Sequence, residues 1–364
     1  MKILVTGSSG VLGRHLCEGL TRMGLEYVPL EAGHGEEEFA QALSSCDYVF
    51  HLAGVNRPGE VSEYYEGNYG FTKKIIDALI ETHHFIPIVF ASSTQAELDN
   101  DYGKSKKMAE DALFASGLPC YVYRLSNVYG EGARPNYNSV VATFCHNLAH
   151  GLPLEVIEPE KRIAFHYVED VCDEFLGVLV HEPEGKKKIL SVSKTYECSV
   201  GHLAELLTSF KEVVESDAHL PLLRGEFEFT LFKTLLSYLS DPSMPLNASY
   251  DHRGYFKELY RSKTHGQISD NMAYPMVIKG GHYHARKREI FFTVIGEAEI
   301  KQKDLHTGEL IVDRVSGENP RFVPIHLRCV HQIQNVGRIP SHTLMWVSEP
   351  YNPEDTDTFP APLL

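Results

Sequence analysis

Apolar residues gather in short blocks along the first two-thirds of the chain and then change rhythm. Lys2–Thr6 has the texture of a strand, Gly7–Gly13 that of a turn, and Leu12, Leu16 and Leu20 recur at helical spacing behind it. Further apolar runs at Tyr48–Leu52, Ile86–Ala91 and Cys120–Arg124 are separated by helical patterns such as Phe71–Glu81. Strands that alternate with helices predict a parallel sheet covered on both faces. Helical spacing returns at Gly201–Val214 and Phe227–Leu239. Beyond a linker-like Asp241-Pro242-Ser243-Met244-Pro245, short apolar runs such as Glu289–Gly296, Ala298–Gln302 and Leu310–Val315 alternate with glycine and charged turns, which predicts an all-β domain. The expected organisation is therefore an α/β domain over residues 1–241 and an all-β domain over residues 242–364.

Length and charge narrow the picture. A chain of 364 residues with 43% hydrophobic content is more than one core normally serves. A formal charge of −15 works against nucleic acid or an anionic membrane surface as partner, because both repel an acidic field. The short basic runs Lys104–Lys107 and Lys186–Lys188 read first as solvated faces. Seven cysteines without paired spacing suit a reducing compartment and buried thiols. No apolar stretch is long enough to cross a bilayer, so the expectation is a soluble, cytoplasmic protein.

Two constellations carry chemistry. Thr6-Gly7-Ser8-Ser9-Gly10-Val11-Leu12-Gly13 lies between a predicted strand and helix, where a glycine turn lets the backbone approach a pyrophosphate at the helix N-terminus. Tyr102-Gly103-Lys104-Ser105-Lys106 places a phenol and an ammonium one helical turn apart. The cation is expected to lower the phenol's pKa and make Tyr102 a usable proton donor or acceptor. Upstream, Ser92-Ser93-Thr94 ends a strand with hydroxyls able to hold a substrate oxygen. In the second domain, His282 and His284 alternate on one strand face, Glu289 opens the next strand, and His331 supplies a third imidazole. Three histidines and a carboxylate suit a divalent metal, zinc first, with nickel, iron or manganese open.

With those residues in view, the first domain resembles the extended short-chain dehydrogenase/reductases, Rossmann-type enzymes that bind a nicotinamide cofactor and act on nucleotide sugars. His51-Leu52-Ala53-Gly54, Asn68, Arg124–Gly130 and Phe165–Val171 look like later landmarks of that family, in order. The resemblance implies Tyr102 as catalytic acid, Lys106 as holder of the nicotinamide ribose, and Ser93, or Thr94 as its rival, as the group orienting the sugar carbonyl. It implies a cofactor pocket of Thr6, Gly7, Ser9, Gly10, Val11, Leu12, Gly13, Leu52, Ala53, Gly54 and Arg57 together with Tyr102 and Lys106. The cofactor expected is NADP(H), with NAD(H) as the alternative: Glu31 stands near the end of the second strand, where a carboxylate would accept ribose hydroxyls, and Arg57 lies in a loop facing the adenosine ribose. Asn127, Arg134, Asn136 and Tyr137 fall where the family binds the nucleotide sugar.

The second domain resembles the cupin superfamily of jelly-roll barrels. Its first motif is complete as His282, His284, Glu289 and Gly296, while His326 and Arg328 stand where a cupin usually has Pro and Gly before the last histidine. Tyr283, Lys279, His326 and Lys287 are candidates for a base. An extended reductase joined to a metal cupin is similar to a family of bifunctional bacterial capsule and O-antigen enzymes. That resemblance implies a UDP-linked 4-keto-6-deoxy-N-acetylhexosamine, inverted at C3 by the cupin and reduced at C4 by the first domain to the L-talose derivative, a precursor of UDP-N-acetyl-L-fucosamine. Three alternatives stay open: a reductase whose cupin only serves dimerisation, a nicotinamide-sensing regulator with no turnover, and the same chemistry on another nucleotide sugar. Cupin behaviour implies a homodimer.

Overall fold

The computed structural model describes residues 1–31, 35–181, 185, 187–217, 221–240, 246, 248–262 and 265–363. The predicted linker, residues 241–245, lies outside them. Two compact units emerge, Met1–Thr208 with Leu223–Ser240, and Ser209–Leu222 with Asp241–Leu364.

In the first unit the elements run β1 (Lys2–Thr6), α1 (Val11–Arg22), β2 (Glu26–Leu30), α2 (Glu36–Ser45), β3 (Tyr48–His51), α3 (Ser62–Tyr64), α4 (Phe71–Glu81), β4 (Ile88–Ser93), α5 (Asp101–Ala115), β5 (Cys120–Leu125), β6 (Asn127–Tyr129), α6 (Val140–Ala149), β7 (Arg162–Tyr167), α7 (Val168–Val180), β8 (Lys187–Leu190), β9 (Tyr196–Ser199), α8 (Val200–Asp217) and α9 (Glu226–Leu236). The sheet order is β2-β1-β3-β4-β5-β8, parallel throughout. Apolar runs buried on both faces make this possible: Ile3, Leu4, Val5, Val49, Phe50, Ile88, Val89 and Phe90 are all fully buried. One face is covered by Phe39 of α2, Ile75 and Leu79 of α4, and Ala109 and Leu113 of α5. On the other, Phe175 of α7 packs against Phe50 and Tyr123 with ring centroids 6.0 and 4.8 Å apart. The strand order reverses between β1 and β3, so a crevice opens at their carboxyl ends, where doubly wound sheets bind ligands.

The second unit takes in the end of α8, which runs on past Ser209, and its described residues beyond Ser240 form strands: β10 (Ala248–Asp251), β11 (Gly254–Ser262), β12 (Gly266–Ala273), β13 (Ile278–Tyr283), β14 (Glu289–Ile295), β15 (Glu297–Asp304), β16 (Leu310–Ser316), β17 (Val323–Ile325), β18 (Cys329–Asn335), β19 (Ser341–Val347) and β20 (Phe359–Pro360). They form two antiparallel sheets, β10-β11-β12-β19-β14-β17 and β16-β15-β18-β13-β20. Phe291 and Met345 from one meet Ala298, Ile300 and Ile333 from the other in a shared core, the double-sheet arrangement of a jelly roll.

Candidate functional site

The glycine turn sits at the reversal point. Gly7 adopts φ +70° and its N–H donates to the Leu30 carbonyl at 3.1 Å, tying the turn to the end of β2. A Cβ on Gly13 would lie 2.2 Å from the Gly7 carbonyl oxygen, so only glycine lets α1 close onto the turn. Gly10 is the N-cap of α1 and no side chain caps it, which leaves the first-turn amides of Val11, Leu12 and Gly13 for a ligand. This open cradle fits a dinucleotide pyrophosphate.

Thr6 turns inward. It is fully buried, and a chain of hydrogen bonds fixes every proton around it. Thr72 donates to the Asn68 carbonyl, so its oxygen accepts from His51 Nε2–H at 2.8 Å; His51 Nδ1 then accepts from Thr6 at 2.8 Å, and Thr6 accepts from the Ala53 N–H. Burial depresses His51 to about 3, consistent with the neutral tautomer. This histidine joins β1, β3 and α4 next to Leu52, Ala53 and Gly54, a role that its place in the His51–Gly54 landmark does not itself disclose.

Ser93 ends β4 and Tyr102 and Lys106 lie one turn apart on α5, whose N-cap is Asn100. The Ser93 hydroxyl accepts the Gln95 N–H at 3.2 Å and is near enough to the Tyr102 phenol to favour its ionised form, whereas Thr94 is exposed. Lys106, the buried member of its basic run, donates to the Ala91 carbonyl at 3.0 Å and lies 4.8 Å from the Phe90 ring centre. Burial brings its ammonium down to about 8. The expected lowering of the Tyr102 pKa does not occur: burial pushes the phenol up, against the influence of Ser93. Desolvation is the largest influence on the group, so the phenol keeps its proton.

Two further groups support this cluster, Asn68, a landmark of the family resemblance, and Glu110, which the sequence reading missed. Asn68, 1% exposed, donates to Ser105 and to the Val55 carbonyl and accepts from the Val55 N–H, joining α5 to the loop after β3. Glu110, fully buried one turn beyond Lys106, accepts from Ser92 at 2.6 Å and from Arg124 at 2.9 and 2.7 Å. A long-range ion pair of this kind leaves no local pattern to find.

The expected sugar-binding group is close to the cofactor loop. Arg57 donates to the Asn136 carbonyl at 2.8 Å, and Arg14 donates to the carbonyls of Ser9 and Gly132, each at 2.6 Å. Arg134 lies over the Tyr137 ring at 5.0 Å, Asn136 takes φ +56°, and the Asn127 amide donates to the Ala164 carbonyl.

In the second unit His282, His284, Glu289 and His331 bring one ligand atom each to within 4.8 Å of one another. His282 and His331 are cross-strand partners on β13 and β18, placed by a bulge at Gly280 and Gly281, while Glu289 comes from β14 of the other sheet. Gly280 has φ +99° and a Cβ there would be 2.8 Å from the His331 carbonyl oxygen. His284 Nδ1–H donates to the Asp357 carbonyl at 2.5 Å and His331 Nδ1–H to the Cys329 carbonyl at 3.3 Å, so both Nε2 atoms present lone pairs. These face Glu289 Oε2 at 3.4 and 3.1 Å, and all three atoms are buried without a hydrogen-bond partner. Acceptors so arranged need a cation or a proton among them. Burial takes His282 down to about 4; for His284, burial is outweighed by Glu289, which leaves the imidazole raised, and Glu289 is held well below the usual carboxylate range by the two histidines despite its own burial. The donor set fits a divalent ion of zinc type.

Asp357 is the group that the sequence did not reveal. Besides orienting His284, its carboxylate accepts the N–H groups of Ala285, Arg286 and Lys287, which shapes the turn between the motif histidines and Glu289. Arg328, in the place of the usual cupin glycine, adopts φ +61° and donates its N–H to the His284 carbonyl, so the loop keeps a glycine-like conformation at some cost in strain. Of the candidate bases, Lys279 is held by the Tyr255 and Met272 carbonyls and the Asn271 amide oxygen, Tyr283 stacks on Phe359, His326 is exposed and Lys287 is buried.

Residues 3–193 match the NAD dependent epimerase/dehydratase family, and residues 249–359 match the polysaccharide biosynthesis C-terminal domain. The chain is 37% identical to UDP-2-acetamido-2,6-beta-L-arabino-hexul-4-ose reductase of Pseudomonas aeruginosa, over 99% of this chain and 98% of that one. The capsular polysaccharide assembling protein CapF of Staphylococcus aureus superposes with a TM-score of 0.89 at 33% identity, covering all of both chains. UDP-glucose 4-epimerase of Thermotoga maritima shares the fold of a part, with a TM-score of 0.56 at 21% identity over 65% of this chain and 98% of that one.

Proposed function

The chain belongs to the NAD dependent epimerase/dehydratase family, and from that membership we propose a two-step enzyme of polysaccharide biosynthesis that remodels one UDP-linked sugar. Its substrate is a UDP-4-keto-6-deoxy-N-acetylhexosamine. The second unit inverts C3, the first reduces C4, and the product is UDP-2-acetamido-2,6-dideoxy-L-talose. The reductase half agrees with the activity named for the Pseudomonas relative. The observation that carries the two-step reading is that the Ser93–Tyr102–Lys106 cluster and the four-residue donor set occur complete in one chain.

Bound nicotinamide supplies the hydride, and a divalent cation held by His282, His284, Glu289 and His331 supplies Lewis-acid polarisation of the ketone that acidifies the neighbouring C3 proton. Tyr102 holds the proton that the C4 oxygen takes up on reduction, and its raised pKa keeps it loaded at neutral pH. Ser93, beside that phenol at the end of β4, orients the carbonyl between them. Lys106 positions the nicotinamide ribose from beneath Gly54 and keeps positive charge near the oxygen as the proton leaves Tyr102.

The test follows the two steps separately. The UDP-4-keto sugar is incubated in D₂O with and without reduced nicotinamide cofactor and chelator, and products are identified by NMR. Deuterium should enter C3 without the nicotinamide, vanish in the His282→Ala variant, and leave reduction of an already epimerised ketone intact. Deuterium entry unaffected by the variant would reduce the second unit to a structural module.

A further inference from the structure

The turn between the motif histidines and Glu289 carries positive charge that the chain itself leaves unused. Lys287 is only 5% exposed, yet among the described residues its ammonium donates no hydrogen bond and meets no carboxylate oxygen within 4.0 Å. The same holds for the guanidinium groups of Arg288 and Arg328, both exposed. Carboxylates are not scarce nearby: Arg286 binds Glu349 and Asp355, and Lys301 and Arg314 share Glu299. A buried ammonium without a counter-charge is costly, so the partner of Lys287 is an anion from outside the chain. We infer that Lys287, Arg288 and Arg328 form a rim through which the second unit takes the UDP-linked sugar by its diphosphate. The inference rests on the reading of the second unit as the one that inverts C3.

Backbone placement ties all three cations to the donor set. Phe291 is buried in the core and Glu289 faces the histidines, so alternate residues of β14 point inward. The Arg288 N–H donates to the Ser348 hydroxyl at 3.0 Å and its carbonyl accepts the Ser348 N–H at 2.9 Å. That pairing extends the strand one residue before Glu289 and puts Lys287 on the same face. Arg328 joins the set from the other side, since its N–H donates to the His284 carbonyl at 2.8 Å. Of a UDP-linked keto sugar only the diphosphate is charged, and holding it at this rim leaves the sugar free to reach the donor set. Lysine suits the buried place as a point charge on an apolar stem, and arginine suits the exposed places as a planar fork for phosphate oxygens. Nucleic acid, another polyanion, is disfavoured by the net charge of −15.

The metal-loaded full chain is titrated calorimetrically with UDP, uridine and inorganic phosphate, and deuterium entry at C3 is followed in D₂O against the concentration of the UDP-4-keto sugar, without nicotinamide. Two variants are compared. Lys287→Met keeps the stem and removes the charge, and Arg328→Gly removes a second charge while suiting the φ of +61° at that position. Elemental analysis checks their metal content, and reduction of an already epimerised ketone checks the first unit. UDP should fill two sites per chain in the parent, one of them in the first unit, and only that one in Lys287→Met. The KM for deuterium entry should rise at least about tenfold in Lys287→Met and about threefold in Arg328→Gly, with kcat within about threefold, and added salt should raise the parent's KM more than that of either variant. A single UDP site in the parent, or a stoichiometry or KM unchanged in both variants, overturns the inference. So does a rim that prefers inorganic phosphate to UDP, or a fall in kcat at unchanged KM in Lys287→Met, which would put the ammonium at the reacting carbon. Absence of deuterium entry in the parent would remove the two-step reading alone, because the calorimetric arm still decides whether the rim holds UDP.

Discussion

At the scale of single residues, the first unit sets buried titratable groups against a desolvating core. Tyr102 has a phenol that burial keeps protonated, so Tyr102→Phe should lower kcat for reduction by about 10²–10⁴-fold while dinucleotide affinity stays within about twofold, checked by cofactor oxidation and equilibrium binding. His51 makes a prediction about stability. Its pKa is about 3 folded against 6.5 as an ordinary imidazole, so below pH 6.5 the unfolded chain takes up a proton that the folded chain refuses. The contribution is whole above pH 6.5 and is lost as pH falls toward 3. Between pH 6 and pH 4 this amounts to about 2–3 kcal/mol, and urea denaturation should show a correspondingly shallower pH slope in His51→Gln. Both predictions depend on enclosure, which is why the sequence led to the opposite expectation for Tyr102: it displays the nearby lysine but not the burial that raises the phenol.

At the scale of elements, each site is made where a regular element ends. The glycine turn closes β1 and opens α1, Ser93 closes β4, and the histidine pair straddles the end of β13. These positions were legible because glycine spacing and alternation are local signals. The bulge in β13 is a stricter device. Gly280→Ala would press a methyl against the β18 backbone, and we expect it to displace His282 and reduce bound metal to less than half an equivalent by elemental analysis, with fold retained by circular dichroism. Asp357→Ala removes the carboxylate that ties the turn at 285–287 and loosens the anchoring of the main-chain carbonyl that His284 donates to, and metal affinity should fall by about 10–100-fold in competition with a chromogenic chelator. Asp357 lies 73 residues from His284, too far for any motif to join them.

At the scale of the molecule, each compact unit holds its own chemistry, so the two sites should respond to different reagents. Chelation should lower the thermal midpoint of the second unit, since a metal present at about 100 times its Kd stabilises by about 2.7 kcal/mol, yet leave dinucleotide binding unaltered. Calorimetry with and without chelator, followed by titration of cofactor, checks both halves of that statement. Among the described residues no helix is long and apolar enough to cross a membrane.

By itself the sequence determined the order of elements, the division between parallel and antiparallel texture, the glycine turn, the Tyr102–Lys106 pair and the four metal-ligand candidates, because each is written in short-range periodicity or spacing. Tertiary structure alone decided that Tyr102 is raised rather than lowered, that Thr6 faces His51, that Glu110 and Asp357 hold the two sites in shape, and that Glu31 grips the glycine turn. The physical reason is common to all of these. Burial and hydrogen-bond partnership arise between residues tens of positions apart, and they exist only after the sheets have brought those residues together.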